Sequence, residues 1–116
     1  MMSIKRTEIG PIMSRTVEHN AVVYLCGLTA DDRTADIKGQ TKEILDKIDT
    51  LLASAGSSKA KLLAATVYLS DMSTKSAMNE VWQTWIDPAN PPTRACVGTV
   101  LGTPDTLVEI VVSAAK

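Results

Sequence analysis

"AVVYLCG", residues 21–27, is a continuous apolar run of seven residues. A turn at His19-Asn20 precedes it and Gly27 closes it. Its length and its β-branched and aromatic content make it a strand rather than a helix, apolar on both of its faces. "TLVEIVVSA" (106–114) repeats that character near the other end of the chain. Between them lie two helices. A sheet of this composition has two apolar faces, and two helices cover only one. The face left open predicts self-association, with a closed ring favoured over a filament.

The other elements follow outward from that strand. "SIKRTEI" (3–9) alternates loosely and stops at Gly10-Pro11, and "MSRTVEH" follows it. Ile37, Thr41, Ile44, Leu45, Ile48, Leu51, Leu52 and Ala55 recur in steps of three and four, which predicts a helix over residues 35–55. Thr34 is the expected N-cap, and Gly56 ends the helix at the C′ position. "KLLAATVYLSD" (61–71) reads as a strand. Met78, Val81, Trp82 and Trp85 mark a second helix over 74–86, with Ser73 or Asp71 as its cap and Asp87-Pro88 as its stop. "RACVGTVL" (94–101) and "TLVEIVVSA" are joined by "GTPD", a turn-rich tetrapeptide, and a β-hairpin is expected there. The predicted order is β-β-β-α-β-α-β-β in one domain spanning residues 1–116. This is an α+β fold with one mixed sheet and two helices on one face.

Composition narrows the function. The chain has 116 residues, a net charge of −1 and no run of Lys or Arg, so a phosphate-gripping nucleic-acid surface is not expected. One histidine, His19, argues against zinc and against any mechanism needing two imidazoles. The acids of "GLTADD" are too few for a hard-metal site and read as a solvated loop. Cys26 and Cys96 have no metal-pair spacing and read as reduced thiols, so a cytoplasmic protein is expected. No apolar segment of membrane-spanning length occurs. Neither a dinucleotide fingerprint, a P-loop nor a nucleophile elbow is present, and no cofactor is expected. The Trp82/Trp85 pair reads as core.

Two charges stand in apolar strands. Arg94 sits in "PTRACVG" and stays charged at any working pH, so it requires a carboxylate from the protein or from a ligand. Glu109 in "LVEIVV" is either a half-buried acid able to hold a water or an exposed strand residue that discourages aggregation. If the expected hairpin turned near Pro104, Arg94 would lie opposite Ala114 and Glu109 opposite Thr99. The two would then meet only across a subunit boundary. Cys96, two residues beyond Arg94 and on the same strand face, is either a nucleophile or a small buried apolar residue. Gly27 permits close approach to a ligand or simply ends its strand.

"PTRACVGTVL" followed by "LVEIVV" resembles the C-terminal signature of the Rid (YjgF) family. Gly10-Pro11, the "CG" at 26–27, Gln40 and "AMNEVW" support the resemblance along the rest of the chain. It implies a chorismate-mutase-like fold and a homotrimer whose sheets line a central barrel, with clefts between subunits. In the enzymatic branch those clefts hydrolyse 2-enamino and 2-imino acids to 2-oxo acids and ammonia. The residue matching Arg94 binds the substrate carboxylate, and the one matching Glu109 positions water. Cys96, Cys26, Gly27, Asn79 and Ile12 fall at lining positions. Ile12 stands where the deaminase branch has tyrosine, and Cys26 where it has serine. The alternative on the same fold is a non-catalytic protein that binds a small carboxylate.

Overall fold

The computed structural model describes residues 3–116. The strands are β1 (Lys5–Ile9), β2 (Ser14–His19), β3 (Val22–Leu25), β4 (Leu62–Leu69), β5 (Thr93–Gly98) and β6 (Val108–Ala115). The helices are α1 (Ile37–Ser54), between β3 and β4, and α2 (Lys75–Trp85), between β4 and β5. The predicted element order is therefore observed. All six strands form one sheet in the order β1-β2-β3-β6-β4-β5.

That order corrects one expectation. β5 and β6 do not form a hairpin. β4 lies between them, parallel to β5 and antiparallel to β6. The reason is the crossover through α2, which returns the chain beside β4 in the same direction, as a strand–helix–strand unit requires. β6 then enters the remaining gap, between β3 and β4. Its burial alternates strictly, with Val108, Ile110, Val112 and Ala114 buried, as suits an interior strand. β5 is left at the sheet edge and is mostly exposed. "GTPD" belongs to a connection over the end of β4, where Ser70 N–H donates to the Leu107 carbonyl (3.1 Å) and Thr99 N–H to the Leu69 carbonyl (3.0 Å).

Both helices pack on one face. Ile44, Leu45, Ile48 and Leu52 of α1 meet Val23, Val67, Leu69, Val108 and Ile110 of the sheet, all at 0% exposure. α2 contributes Met78, Trp82 and Trp85, and the two indoles pack edge to face at 5.4 Å. The Trp85 Nε1–H donates to Asp49 on α1 (3.0 Å), fixing one helix to the other. No helix of the described residues covers the opposite sheet face. Tyr24, half exposed, lies there with Thr66, Tyr68, Glu109, Val111 and Ser113. The face is thus mixed in character rather than uniformly apolar.

Local signals account for the ends. The α1 cap is Asp36, not Thr34: the Asp36 carboxylate accepts from Gly39 N–H (2.8 Å), while the Thr34 hydroxyl and N–H bond to Asp32. Gly56, at φ +78°, ends α1 in a Schellman arrangement. Its N–H donates to Ala53, and that of Ser57 to Leu52. Asp71 caps the short 3₁₀ turn Met72–Thr74 that leads into α2, and Thr74 precedes α2 without a side-chain cap bond. β2 and β3 join through Asn20-Ala21, both at positive φ, as a two-residue hairpin turn requires.

Candidate functional site

Strand register divides the expected site residues between two places. Arg94 lies beside Ala65, and Cys96 beside Val67. Ala65 and Val67 face the helices, so Arg94 and Cys96 face them too, at the sheet edge under α2. The Arg94 guanidinium lies over the Trp82 ring, 5.1 Å from its centroid, and its Nη1 points at the Met78 sulfur (3.8 Å). Among the described residues no carboxylate reaches it within ion-pair distance. A guanidinium stacked on an indole keeps its in-plane N–H groups available. Trp82 therefore holds this cation as well as filling core. Next to Met78 on α2 stands Asn79, whose buried Oδ1 has no hydrogen-bond partner. Arg94 and Cys96 make up one half of the candidate site, with Asn79 one residue along α2 from the Met78 that Arg94 touches.

The other half lies across the sheet. Glu109 pairs with Tyr68, which in turn pairs with Val97, so Glu109 is on the uncovered face. Arg94 and Glu109 thus fall on opposite faces, two strands apart, a lateral spacing of about 10 Å. They cannot meet within one chain. The expected hairpin register implies the same separation, but that hairpin does not form. The sheet faces are the actual cause.

The Glu109 carboxylate rests against Gly27. A Cβ at Gly27 would overlap Glu109 Oε2 and lie 3.1 Å from its Cδ. Gly27 is not in the left-handed region, so what the glycine supplies there is space. Leu28 and Ile110 exchange backbone hydrogen bonds (2.9 and 3.1 Å) just beyond this contact. Cys26 is half-buried, and burial pushes its thiol pKa up. The Arg15 charge pulls it down in part, and that of Glu109 adds to the rise. Cys26 is therefore a neutral thiol at working pH. A small pocket of about 120 Å³ is lined by Met13, Arg15, Cys26, Gly27, Leu28, Thr29, Asp31 and Lys47. Ile12, in the adjoining turn where Gly10 N–H donates to the Met13 carbonyl (2.8 Å), is 90% exposed. A groove of about 590 Å³ along α1 contains neither Arg94 nor Glu109. Its Lys47 is already paired with Asp31 and Glu43.

Two supporting residues, Gln40 and Arg33, had no structural role assigned from the sequence. Gln40 is fully buried. Its amide donates to the Ala35 and Asp105 carbonyls and accepts from Leu107 N–H, anchoring the approach to β6. A glutamine three residues after Ile37 and four before Ile44 is a polar residue on an apolar stripe, and that was its signal. Arg33 bridges two loops and had no such signal.

The family model described as Endoribonuclease L-PSP matches residues 7–116. A RutC family protein from Haemophilus ducreyi is 36% identical over 112 residues, which is 97% of this chain and 96% of that protein. The chain is a member of the Rid (YjgF/RutC) family. Solved structures agree. A YjgF-family protein of Neisseria meningitidis superposes with a TM-score of 0.96 at 36% identity, covering 99% of this chain and 96% of that one. A Rid-family protein of Yersinia pestis gives 0.86 at 27% identity, covering all of both chains. The α+β fold expected from the resemblance is thus the fold of this Rid protein. No helix among its described residues is long and apolar enough to cross a membrane.

Proposed function

We propose that this Rid protein hydrolyses 2-imino and 2-enamino acids in clefts formed when the uncovered sheet faces of three chains assemble. In this reading the cleft pairs the Arg94 half of one subunit with the Glu109 half of its neighbour. The observation that carries it is Arg94, a half-buried guanidinium seated on Trp82 with no carboxylate among the described residues as counter-ion. Such a group in an apolar strand is suited to a carboxylate brought by a ligand, held bidentately. Glu109, lodged over Gly27, then orients a water, takes its proton as the oxygen attacks the imine carbon, and returns that proton to the imine nitrogen. The resulting carbinolamine loses ammonia and leaves the 2-oxo acid. Water and imino acid enter, 2-oxo acid and ammonia leave, and the chemistry requires no cofactor.

The test generates the imine in situ with an amino-acid oxidase and follows its disappearance. The wild type should exceed the uncatalysed rate, and Arg94→Ala should return to that rate with its fold intact. Wild-type decay no faster than buffer would overturn the hydrolase reading. A second reading is a non-catalytic receptor for small carboxylates. It is favoured by Ile12 and Cys26, which place an exposed alkyl group and a neutral thiol beside the Glu109 half. That reading requires Arg94-dependent thermal stabilisation by 2-oxo acids without turnover.

A further inference from the structure

Glu109 owes its place to more than its own strand. The regular β3–β6 ladder ends at Tyr24 and Ser113. The next contact is the isolated Leu28–Ile110 bridge. Three residues on one side, Leu25 to Gly27, oppose two on the other, Val111 and Val112. The ladder is therefore irregular where Glu109 meets Gly27, and its hydrogen bonds alone do not set their separation.

The loops that continue from these two points are joined by one side chain. Arg33 donates from Nε to the Ala30 carbonyl (2.6 Å) and from Nη2 towards the Thr29 hydroxyl (3.5 Å). Its Nη1 reaches the Thr103 hydroxyl (2.6 Å), the Thr106 hydroxyl (2.5 Å) and the Asp105 carboxylate (3.5 Å). The receiving end is itself cross-braced, since Thr103 Oγ1 also bonds to Asp105 and to Thr106, and Thr106 is buried. Loop 28–33 begins at the Gly27 floor, and loop 102–107 runs directly into β6 and Glu109. The near end is braced separately: Lys47 donates to the Thr29 carbonyl (2.8 Å), and Glu43 accepts from Asp31 and Asp32 N–H.

We propose that Arg33 is a positioning residue that holds the Glu109 carboxylate over Gly27 by tying loop 28–33 to loop 102–107. This rests on the role of Glu109 proposed above. Arg33 touches no substrate in this account. A rigid guanidinium fork spans partners on both loops at once, which a single lysine ammonium does not. Catalytic geometry is sensitive to displacements of about 1 Å, which can cost about a hundredfold in rate. Loosening the tie should therefore lower kcat and leave the Arg94-dependent KM unchanged.

The experiment uses the full chain carrying Arg33→Met, with Arg33→Lys and Thr103→Val beside it. With imine substrate, kcat should fall roughly tenfold or more in Arg33→Met while KM stays within about twofold. Arg33→Lys should not restore it. Unchanged kcat, or a rise in KM alone, overturns the proposal. Amide hydrogen exchange supplies a readout independent of turnover. Leu28 and Ile110 should exchange at least several-fold faster in Arg33→Met, with Val67 and Leu69 in central β4 unchanged. If the wild type hydrolyses no imine, the hydrolase reading falls and exchange alone judges the tie, with equal rates at Leu28 and Ile110 refuting it. Should Arg33→Met fail to fold, Thr103→Val, which removes one Arg33 partner, is held to the same criteria.

Discussion

Replacing Gly27 by alanine tests where the Glu109 carboxylate sits. The backbone of Gly27 lies outside the left-handed region, so alanine brings no φ strain. The added methyl would overlap Glu109 Oε2 and stand 3.1 Å from Cδ, where carbon–carbon contacts prefer about 3.5–4.0 Å. The obstructing atoms are the far end of a flexible, half-exposed side chain, so the carboxylate swings aside by on the order of 1 Å at a cost of about 0.5–1.5 kcal/mol. Opposing this, alanine restricts the unfolded chain and returns about 0.4–1 kcal/mol. Gly27→Ala should thus leave the wild type within about 1 kcal/mol of its original stability. In a Glu109→Ala background the obstructing carboxylate is gone, and the same change should be neutral or stabilising by about 0.5 kcal/mol. The difference is a coupling energy of about 0.5–1.5 kcal/mol, the cost of displacing the carboxylate. Urea denaturation of all four proteins at one fixed protein concentration measures it. An equal Gly27→Ala cost in both backgrounds would refute the placement of Glu109 over Gly27.

Other consequences can be checked as directly. Ala21 occupies a positive-φ turn position that an alanine adopts at a cost of about 1–2 kcal/mol, so Ala21→Gly should raise the urea midpoint, by a net ~0.5–1 kcal/mol. Asp36→Ala removes the α1 cap and should lower stability by about 1 kcal/mol, whereas Thr34→Ala at the sequence-expected cap should cost less. Cys26 is raised above the ordinary thiol value in the fold, so its alkylation by iodoacetamide should stay slow at neutral pH and accelerate only at alkaline pH. The folded form holds that proton more tightly than the unfolded form. The associated stability is therefore complete below the unfolded thiol pKa and is lost as pH rises through the folded one. If the proposed trimer forms through the uncovered face, Val111→Lys, which places a charge there, should lower the mass seen by light scattering to that of a monomer without loss of far-UV circular dichroism. A trimer that persisted would mean that this face is not the interface.

Much of the fold was legible locally because its signals are local. The three-and-four spacing from Ile37 to Ala55 marked α1, and that from Met78 to Trp85 marked α2. The apolar strands with only two helices to cover them announced an open face. Arg94 and Glu109 stood out because a charge in an apolar strand has to be met by something. The caps were less legible: Asp36 and Thr34 are both good capping residues, and only the backbone geometry selects between them.

Strand order was out of reach for a physical reason. "GTPD" has the same turn chemistry in a hairpin as in a crossover loop. Nothing within residues 94–114 records that β4, more than twenty residues upstream, lies between the two strands. The crossover through α2 and the burial demanded by β6 decide that. The tertiary structure alone also assigned Arg94 to the helix side and Glu109 to the open side, since a strand's inward face is set by its neighbours' register. It likewise brought Arg33 to Thr103 across seventy residues of chain. The sequence by itself determined which residues carry unusual charge and which elements form. The packing decided that Arg94 rests on Trp82, that Glu109 rests on Gly27, and that no single chain brings the two together.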